Sequence, residues 1–130
     1  MNNIQENNKL IAEFMGLTII TDEISWFDTN YKPLKKYNEF WADLMPVVEK
    51  IEELDLKEQY YSWEDEEGKN YNFEEFSVDI EGNSCYIWLN LSLDPPQLIS
   101  QVTEKTKIEA VYKAVLGFIK WYNKNKENGK

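Results

Sequence analysis

The stretch SCYIWLNLSL, residues 84–93, decides how the rest of this chain must be arranged. Its side chains alternate with a period of two, which is the periodicity of a β-strand. One face of this central strand carries only apolar residues: Cys85, Ile87, Leu89, Leu91 and Leu93. The other face begins with Tyr86 and Trp88, and large aromatic side chains are seldom left in water. We therefore expect a further element, a helix, a loop or a second chain, to cover that end as well.

Two more strands are predicted before the central strand. An acidic turn divides residues 61–80 into two strand-like runs, and the second shows clear apolar alternation over residues 76–80. A change of phase across Glu74 and Glu75 indicates a β-bulge or two distinct strand pieces. With the central strand these runs form a three-stranded antiparallel meander. A double proline then ends the central strand, and residues 97–103 are expected to be a connection that covers a sheet edge.

Local signals predict a first and a last helix. Apolar residues recur at helical spacing over residues 4–15, and Gly16 supplies the left-handed residue that ends this helix. Thr106 and Glu109 have the spacing of a capping box, which begins the longest apolar stripe in the chain. Six lysines mark the solvent side of this last helix: Lys105, Lys107, Lys113, Lys120, Lys124 and Lys126.

Between them, residues 40–54 predict a second helix. If Asp43 is its N-cap, Pro46 falls in the first turn, where proline is tolerated; if the helix begins at Asn38, Pro46 must kink it. Residues 17–38 lack a period, apart from a short strand-like run at their start. The expected architecture is a single-domain α+β sandwich over residues 1–126, in the order helix, long loop, helix, three strands, helix. Residues 127–130 are expected to be a solvated tail.

The charge distribution argues against nucleic acid and favours a basic partner. The net charge is −10, and residues 52–81 contain twelve acidic residues but only Lys57 and Lys69. Residues 104–130 carry seven lysines and three glutamates, so the C-terminal part is basic. The chain has no arginine, the residue that most often makes bidentate contacts to bases and phosphates. We expect a protein partner with a basic surface and no binding to nucleic acid.

No motif for catalysis or cofactor binding is present, and we expect neither. Histidine is absent, which removes the commonest general base and metal ligand. Cys85 is the single cysteine and belongs to the apolar face of the central strand, so it is interpreted as a core residue. Carboxylates such as Glu74 with Asp79 or Glu81 could share one sheet face, although surface carboxylates are ordinary in so acidic a chain. Without a signal peptide or an apolar membrane span, a cytoplasmic protein is expected.

Three segments carry a resemblance: NNKLIAEFMG (residues 7–16), LMPVVEKIE (44–52) and KIEAVYKAVLGFIKWYNKN (107–125), with the SCYIWL strand between the last two. In this order they resemble small uncharacterised proteins of phages and prophages, particularly of Bacteroides-type bacteria, that are similar to the phage ABA-sandwich domain. The resemblance implies a sheet with helices on both sides. It implies no activity.

The leading hypothesis is a non-enzymatic accessory protein of a phage or mobile element that binds another macromolecule and interferes with a host system. Its expected binding surface is the acidic hairpin around Glu64, Asp65, Glu66 and Glu67, with Trp26 and Tyr31 of the long loop as further candidates. The loop aromatics could equally pin the loop to the core. One alternative is a small-molecule-binding or hydrolytic domain with a pocket between the aromatic loop and the sheet. Another is an acidic mimic of nucleic acid.

Overall fold

The structure, a computed structural model, describes residues 3–21, 26–28, 33–54, 62–64, 70–91 and 95–128. Three helices lie within these ranges: α1 (Asn3–Phe14), α2 (Trp41–Glu53) and α3 (Lys107–Asn128). Six strands accompany them: β1 (Ile19–Thr21), β2 (Trp26–Asp28), β3 (Ser62–Glu64), β4 (Asn70–Glu81), β5 (Ser84–Leu91) and β6 (Gln97–Thr103). The fold is α+β, as the sequence predicted, and the predicted order of helices and meander strands is confirmed.

The main sheet has the strand order β3-β4-β5-β6, and all its pairs are antiparallel. Strands β4 and β5 are joined by a tight turn in which Gly82 has a φ of 58°, a left-handed conformation that glycine adopts without steric cost. The β4–β5 register shifts between Phe73 and Glu75, which confirms the predicted bulge. A separate hairpin of β1 and β2 lies within the long segment in which the sequence showed only a strand-like start.

Strand β6 differs from the prediction, because residues 97–103 are not a connection but the fourth strand of the sheet. The register of β5 and β6 shifts between Ile87 and Trp88, so β6 contains one residue more than its partner over this stretch. A bulge of this kind interrupts the period of two. At this point the two consecutive residues Leu98 and Ile99 are both apolar. The alternation that identifies a strand from sequence is therefore absent in β6.

Helix α1 ends as its sequence predicted. Gly16 has a φ of 89°, its N–H donates to the Glu13 carbonyl at 3.0 Å, and the Leu17 N–H donates to the Ala12 carbonyl at 3.0 Å. These two bonds form a Schellman motif, which satisfies carbonyls that the helix leaves without donors. The ammonium group of Lys50 on α2 donates to the Phe14 carbonyl at the same end, where the helix dipole favours a positive charge.

Helix α2 lies within the predicted residues 40–54, but neither of the two expected starts is correct, because its N-cap is not Asp43 and it does not begin at Asn38. The N-cap is Phe40, which supplies no side-chain hydrogen bond, and Pro46 lies inside the helix beyond its first turn. A turn leads directly into the helix, because the N–H groups of Glu39 and Phe40 both donate to the Lys36 carbonyl. The Phe40 carbonyl in turn accepts from the N–H of Leu44 at 3.0 Å and continues the helical pattern. Proline has no N–H, so Pro46 cannot continue that pattern to the carbonyl four residues earlier.

Helix α3 begins at the predicted cap and provides the largest share of the core. The Thr106 hydroxyl accepts from the Glu109 N–H at 3.2 Å and donates to the Glu109 carboxylate. Of the α3 side chains described, residues 107–125, eight are buried: Ala110, Val111, Tyr112, Ala114, Val115, Leu116, Phe118 and Ile119. The helix continues to Asn128, so helical backbone extends into the stretch expected to be a tail.

All three helices form one layer on one face of the sheet. A single core cluster joins buried residues of α1, α2 and α3 to Phe76 of β4 and to Cys85, Ile87 and Leu89 of β5. A buried polar chain ties the helices together: the Tyr112 hydroxyl donates to the Asn8 carbonyl oxygen at 2.9 Å, and the Asn8 amide donates to Asn38 at 3.0 Å. Among the described residues, no helix forms the second layer that the resemblance implied.

Candidate functional site

The face of the sheet opposite the helices, called the open face below, displays the two aromatic residues of β5. Cys85, Ile87 and Leu89 point into the core, so the alternating residues Tyr86 and Trp88 point away from it. Both aromatic side chains are half-buried, and neither belongs to the residues packed against the core cluster. The expectation that a further element covers Tyr86 and Trp88 is therefore not met within the described part of the chain.

Two neighbouring strands flank Trp88 on the open face. In the register of the sheet its partners are Ser77 on β4 and Leu98 on β6. Cross-strand neighbours lie about 5 Å apart, close enough to shield the edges of an indole but not its outer face. Leu98 is itself 39% exposed. Tyr86, Trp88 and Leu98 thus form an apolar strip that is partly exposed.

A row of carboxylates runs beside this apolar strip on β4. Glu75, Asp79 and Glu81 are exposed, and their cross-strand partners are Asn90, Tyr86 and Ser84 of the open face. The bulge makes Glu74 the extra residue of β4. Glu75 is therefore on the same sheet face as Asp79, whereas the sequence had suggested Glu74 for this position. We call Glu75, Asp79 and Glu81 the acidic row.

Among the described lysines, none forms an ion pair with the acidic row. The ion pairs in the described ranges join Lys9 to Glu13, Lys36 to Glu39 and Lys113 to Glu104, and none of them includes a carboxylate of the row. Like charges on alternate residues of a strand lie about 7 Å apart and repel each other. The open face therefore combines an accessible indole with a negative potential.

The predicted partner-binding residues lie largely outside the described residues. Asp65, Glu66, Glu67 and Tyr31 are not described, and for Glu64 in β3 and Trp26 in β2 only the backbone is. Pairing of Glu64 with Asn70 confirms that two strands flank the acidic turn. The binding role of these side chains stays a prediction. Sequence reasoning missed Leu98 because residues 97–103 were expected to be a connection.

Cys85 is confirmed as a core residue. Its side chain is 0% exposed. Burial, together with the nearby charge of Asp79, raises the pKa of the Cys85 thiol to about 12. Since the thiolate is the nucleophilic form, the thiol is inert at neutral pH.

A pocket of about 210 Å³ lies between the ends of the three helices. Its lining residues are Leu10, Glu13, Phe14, Lys50, Leu54, Tyr122 and Asn123. Pockets that hold small molecules are usually about 300 Å³ or more. The cation in this pocket is already engaged, because Lys50 donates to the Phe14 carbonyl and lies 4.8 Å from the centre of the Phe14 ring. The pocket is therefore smaller than a usual ligand site, and none of its lining residues belongs to the aromatic loop or to the sheet.

The described residues contain neither a metal-binding cluster nor a membrane-spanning helix. Within the described ranges, no three histidine, cysteine, aspartate or glutamate side chains lie close enough together to hold a metal ion. None of the helices described combines the length and the apolarity that crossing a bilayer requires. Comparison with protein-family models, with curated proteins and with solved structures finds no match to this chain.

Proposed function

We propose that this chain is a non-enzymatic binding protein and that its open face engages a basic protein. The observation that carries the proposal is the position of Trp88, half-buried on an open sheet face beside three carboxylates that form no ion pair with another described residue. Tryptophan and tyrosine are enriched among the residues that dominate the binding energy of protein interfaces. If the Trp88 indole loses its remaining contact with solvent on binding, it would be one of these residues.

Charge complementarity identifies the chemistry of the partner. Lysine or arginine placed over an indole gains about 0.5–2 kcal/mol from the cation–π interaction. The same cation would lie within a few ångströms of the acidic row, since Asp79 pairs with Tyr86 and Ser77 pairs with Trp88 in the sheet. The net charge of −10 would steer such a partner toward the protein. Lysine and arginine side chains on a partner surface therefore fit both features of the open face.

Mimicry of nucleic acid is supported less well. Glu75 and Glu81 are six residues apart, so the acidic row spans about 20 Å of strand. A single strand of B-DNA carries about six phosphates over that length. The row provides three carboxylates, half that charge density, and an apolar strip that DNA does not have.

The wider role rests on the resemblance to phage and prophage proteins. We propose that the protein acts as an accessory protein of a phage or mobile element and that its basic partner belongs to a host system. Glu75 lies at the end of the acidic hairpin, residues 64–75, that the sequence predicted as a binding surface.

The test is a titration with a peptide that alternates lysine with threonine, and with a matched peptide in which glutamate replaces lysine. Binding is followed by the indole N–H resonance of Trp88, assigned with a Trp88→Phe variant. We expect the basic peptide to shift this resonance and the acidic peptide to leave it unchanged. Asp79→Lys should weaken binding at least tenfold, because it reverses a charge in the acidic row.

Glu49→Lys is the matched control. Glu49 is exposed on α2, so this substitution makes the same change of charge on the helical side of the protein. Equal weakening by Asp79→Lys and Glu49→Lys would show that only the net charge matters and would contradict the open face as the site. Loss of binding on replacing Asp65, Glu66 and Glu67 with asparagine, with full binding by Asp79→Lys, would place the site on the hairpin tip instead.

A further inference from the structure

We propose that the outer edge of β6 pairs with the same edge of a second copy of this chain, so that two four-stranded sheets join into one. Within the described residues β6 pairs with β5 alone, and its other edge faces no strand. This inference is independent of the partner proposed for the open face, because it uses the backbone of β6 and not the side chains of the acidic row.

The direction of the backbone groups of β6 follows from contacts elsewhere in the sheet. The Val78 N–H donates to the Glu52 carboxylate, so it points away from β5. Because N–H groups alternate along a strand and Val78 faces Ile87, the N–H of Ile87 points toward β6. The backbone groups of its partner Ser100 therefore bond to β5. Because the direction of the N–H groups alternates from Ser100 onward, the directions of the Gln101 and Thr103 N–H groups are fixed as well.

In that alternation Val102 bonds to β5, whereas Gln101 and Thr103 direct their N–H and C=O groups outward. Two contacts agree with this phase. Ser84 and Thr103 should form a closely spaced pair without backbone bonds, and their hydroxyl oxygens are 2.7 Å apart. The N–H of Glu104, two residues beyond Val102, donates inward to the Asn83 carbonyl at 3.1 Å.

The edge lacks the features by which proteins prevent edge pairing. Exposed edge strands usually carry lysine, other charges or proline. The sequence QLISQVT of β6 has none of these, in a chain of which 29% is charged. A bulge lies near Ile99, but the register from Ser100 to Thr103 is regular.

An antiparallel second copy fits this edge because the strand is complementary to itself. If a two-fold axis lies beside Val102, Gln101 of each copy faces Thr103 of the other. Each of these two pairs exchanges two N–H···O bonds, which uses all four outward-facing groups of the regular segment. No like charges meet across the strand pair, since neither residue is ionisable.

The distribution of charge also permits two acidic chains to pair at this edge. The acidic row belongs to β4, which is separated from β6 by β5. In the joined sheet the two acidic rows would be five strand spacings, about 24 Å, apart. That distance is about three Debye lengths at physiological ionic strength, so their repulsion is largely screened.

Two measurements on the full chain test the pairing. Sedimentation equilibrium up to about 1 mM protein should show the mass rising from 15.5 kDa toward twice that value. Gln101→Pro removes an outward N–H without removing a bond to β5 and should keep the protein at the mass of one chain. Gln101→Ala, which shortens the side chain and keeps the N–H, should associate like the wild type.

Hydrogen exchange gives a readout that requires no substitution. The amides of Gln101 and Thr103 should become at least tenfold better protected between about 10 μM and 1 mM protein, while the Val102 amide stays protected at both concentrations. A wild type that remains a single chain at the highest concentration overturns the proposal. So does association that Gln101→Pro does not weaken and that leaves exchange of these two amides unchanged, because the contact would then lie on another surface.

Discussion

Ser100 on β6 and Gly117 on α3 approach each other so closely that no larger residue fits at position 117 without a rearrangement. The Ser100 hydroxyl donates to the Ala114 carbonyl at 2.9 Å. A Cβ atom added to Gly117 would lie 2.7 Å from the same hydroxyl oxygen. This contact sets the distance between the longest helix and the strand that the sequence did not predict.

Gly117→Ala should therefore destabilise the protein by about 1–2 kcal/mol. Alanine gains about 1 kcal/mol over glycine in a helix. The clash and the loss of the serine hydrogen bond cost more than that, since overpacking alone costs about 1–3 kcal/mol. Urea unfolding followed by circular dichroism would measure the difference.

The sign of this effect should reverse when Ser100 is first replaced by alanine. The remaining Cβ of residue 100 would be 3.7 Å from the new methyl group, an ordinary contact. In the Ser100→Ala background, Gly117→Ala should then stabilise the protein by up to about 1 kcal/mol through helix propensity. The same destabilisation in both backgrounds would show that the hydroxyl is not what limits position 117.

Tyr112→Phe should cost about 1–2 kcal/mol although it removes only one oxygen atom. The Tyr112 hydroxyl donates to Asn8, which is 4% exposed. Without that donor the Asn8 carbonyl oxygen is buried and unsatisfied, and this penalty exceeds the mean value of a hydrogen bond. A Tyr112→Phe protein as stable as the wild type would indicate that water replaces the hydroxyl.

Stability should fall in alkaline solution because three buried groups have raised pKa values. Burial raises the pKa of Cys85 to about 12 from an ordinary 9.0, with Asp79 contributing. Burial likewise raises the pKa of Tyr37, with a contribution from Asp43, and of Tyr112, each to about 12 from 10.0.

The sign follows from the proton balance. Between the ordinary and the raised pKa of each group the unfolded chain releases a proton that the folded chain keeps, so stability decreases with rising pH, by about 1.4 kcal/mol per pH unit and group. Urea midpoints should drop from about pH 9, and more steeply from about pH 10 where the tyrosines join. Cys85→Ala should abolish the decrease between these two values. A flat profile up to pH 11 would contradict the assigned burial.

Trp88→Ala should destabilise the protein less than a truncation in the core. A fully buried tryptophan would cost about 3–5 kcal/mol, and half-burial reduces this to about 1–2 kcal/mol. Ile87→Ala, at the neighbouring fully buried position, should cost about 2–5 kcal/mol. Thermal melts of the two variants provide the comparison. An equal loss would mean that an element outside the described residues covers Trp88.

Features that depend on residues close in sequence were predictable. Gly16 ends α1 and Thr106 begins α3 through bonds that span five residues or fewer. The bulge before Phe76 was predictable for the same reason, since the phase of apolar residues is a local pattern. The N-cap of α2 was not, because the turn before Phe40 has no side-chain signature.

The alternation of residues 84–93 by itself determined that a strand would turn Cys85, Ile87 and Leu89 to one side and Tyr86 and Trp88 to the other. Which side the helices cover was decided by contacts between distant segments, such as the bond from Tyr112 to Asn8 across 104 residues. Tertiary pairing also decided that β6 joins the sheet, that Leu98 lies beside Trp88 and that Glu75 is in phase with Asp79. The period of a strand fixes two faces, but only the packing of the whole chain selects the one that remains in contact with water.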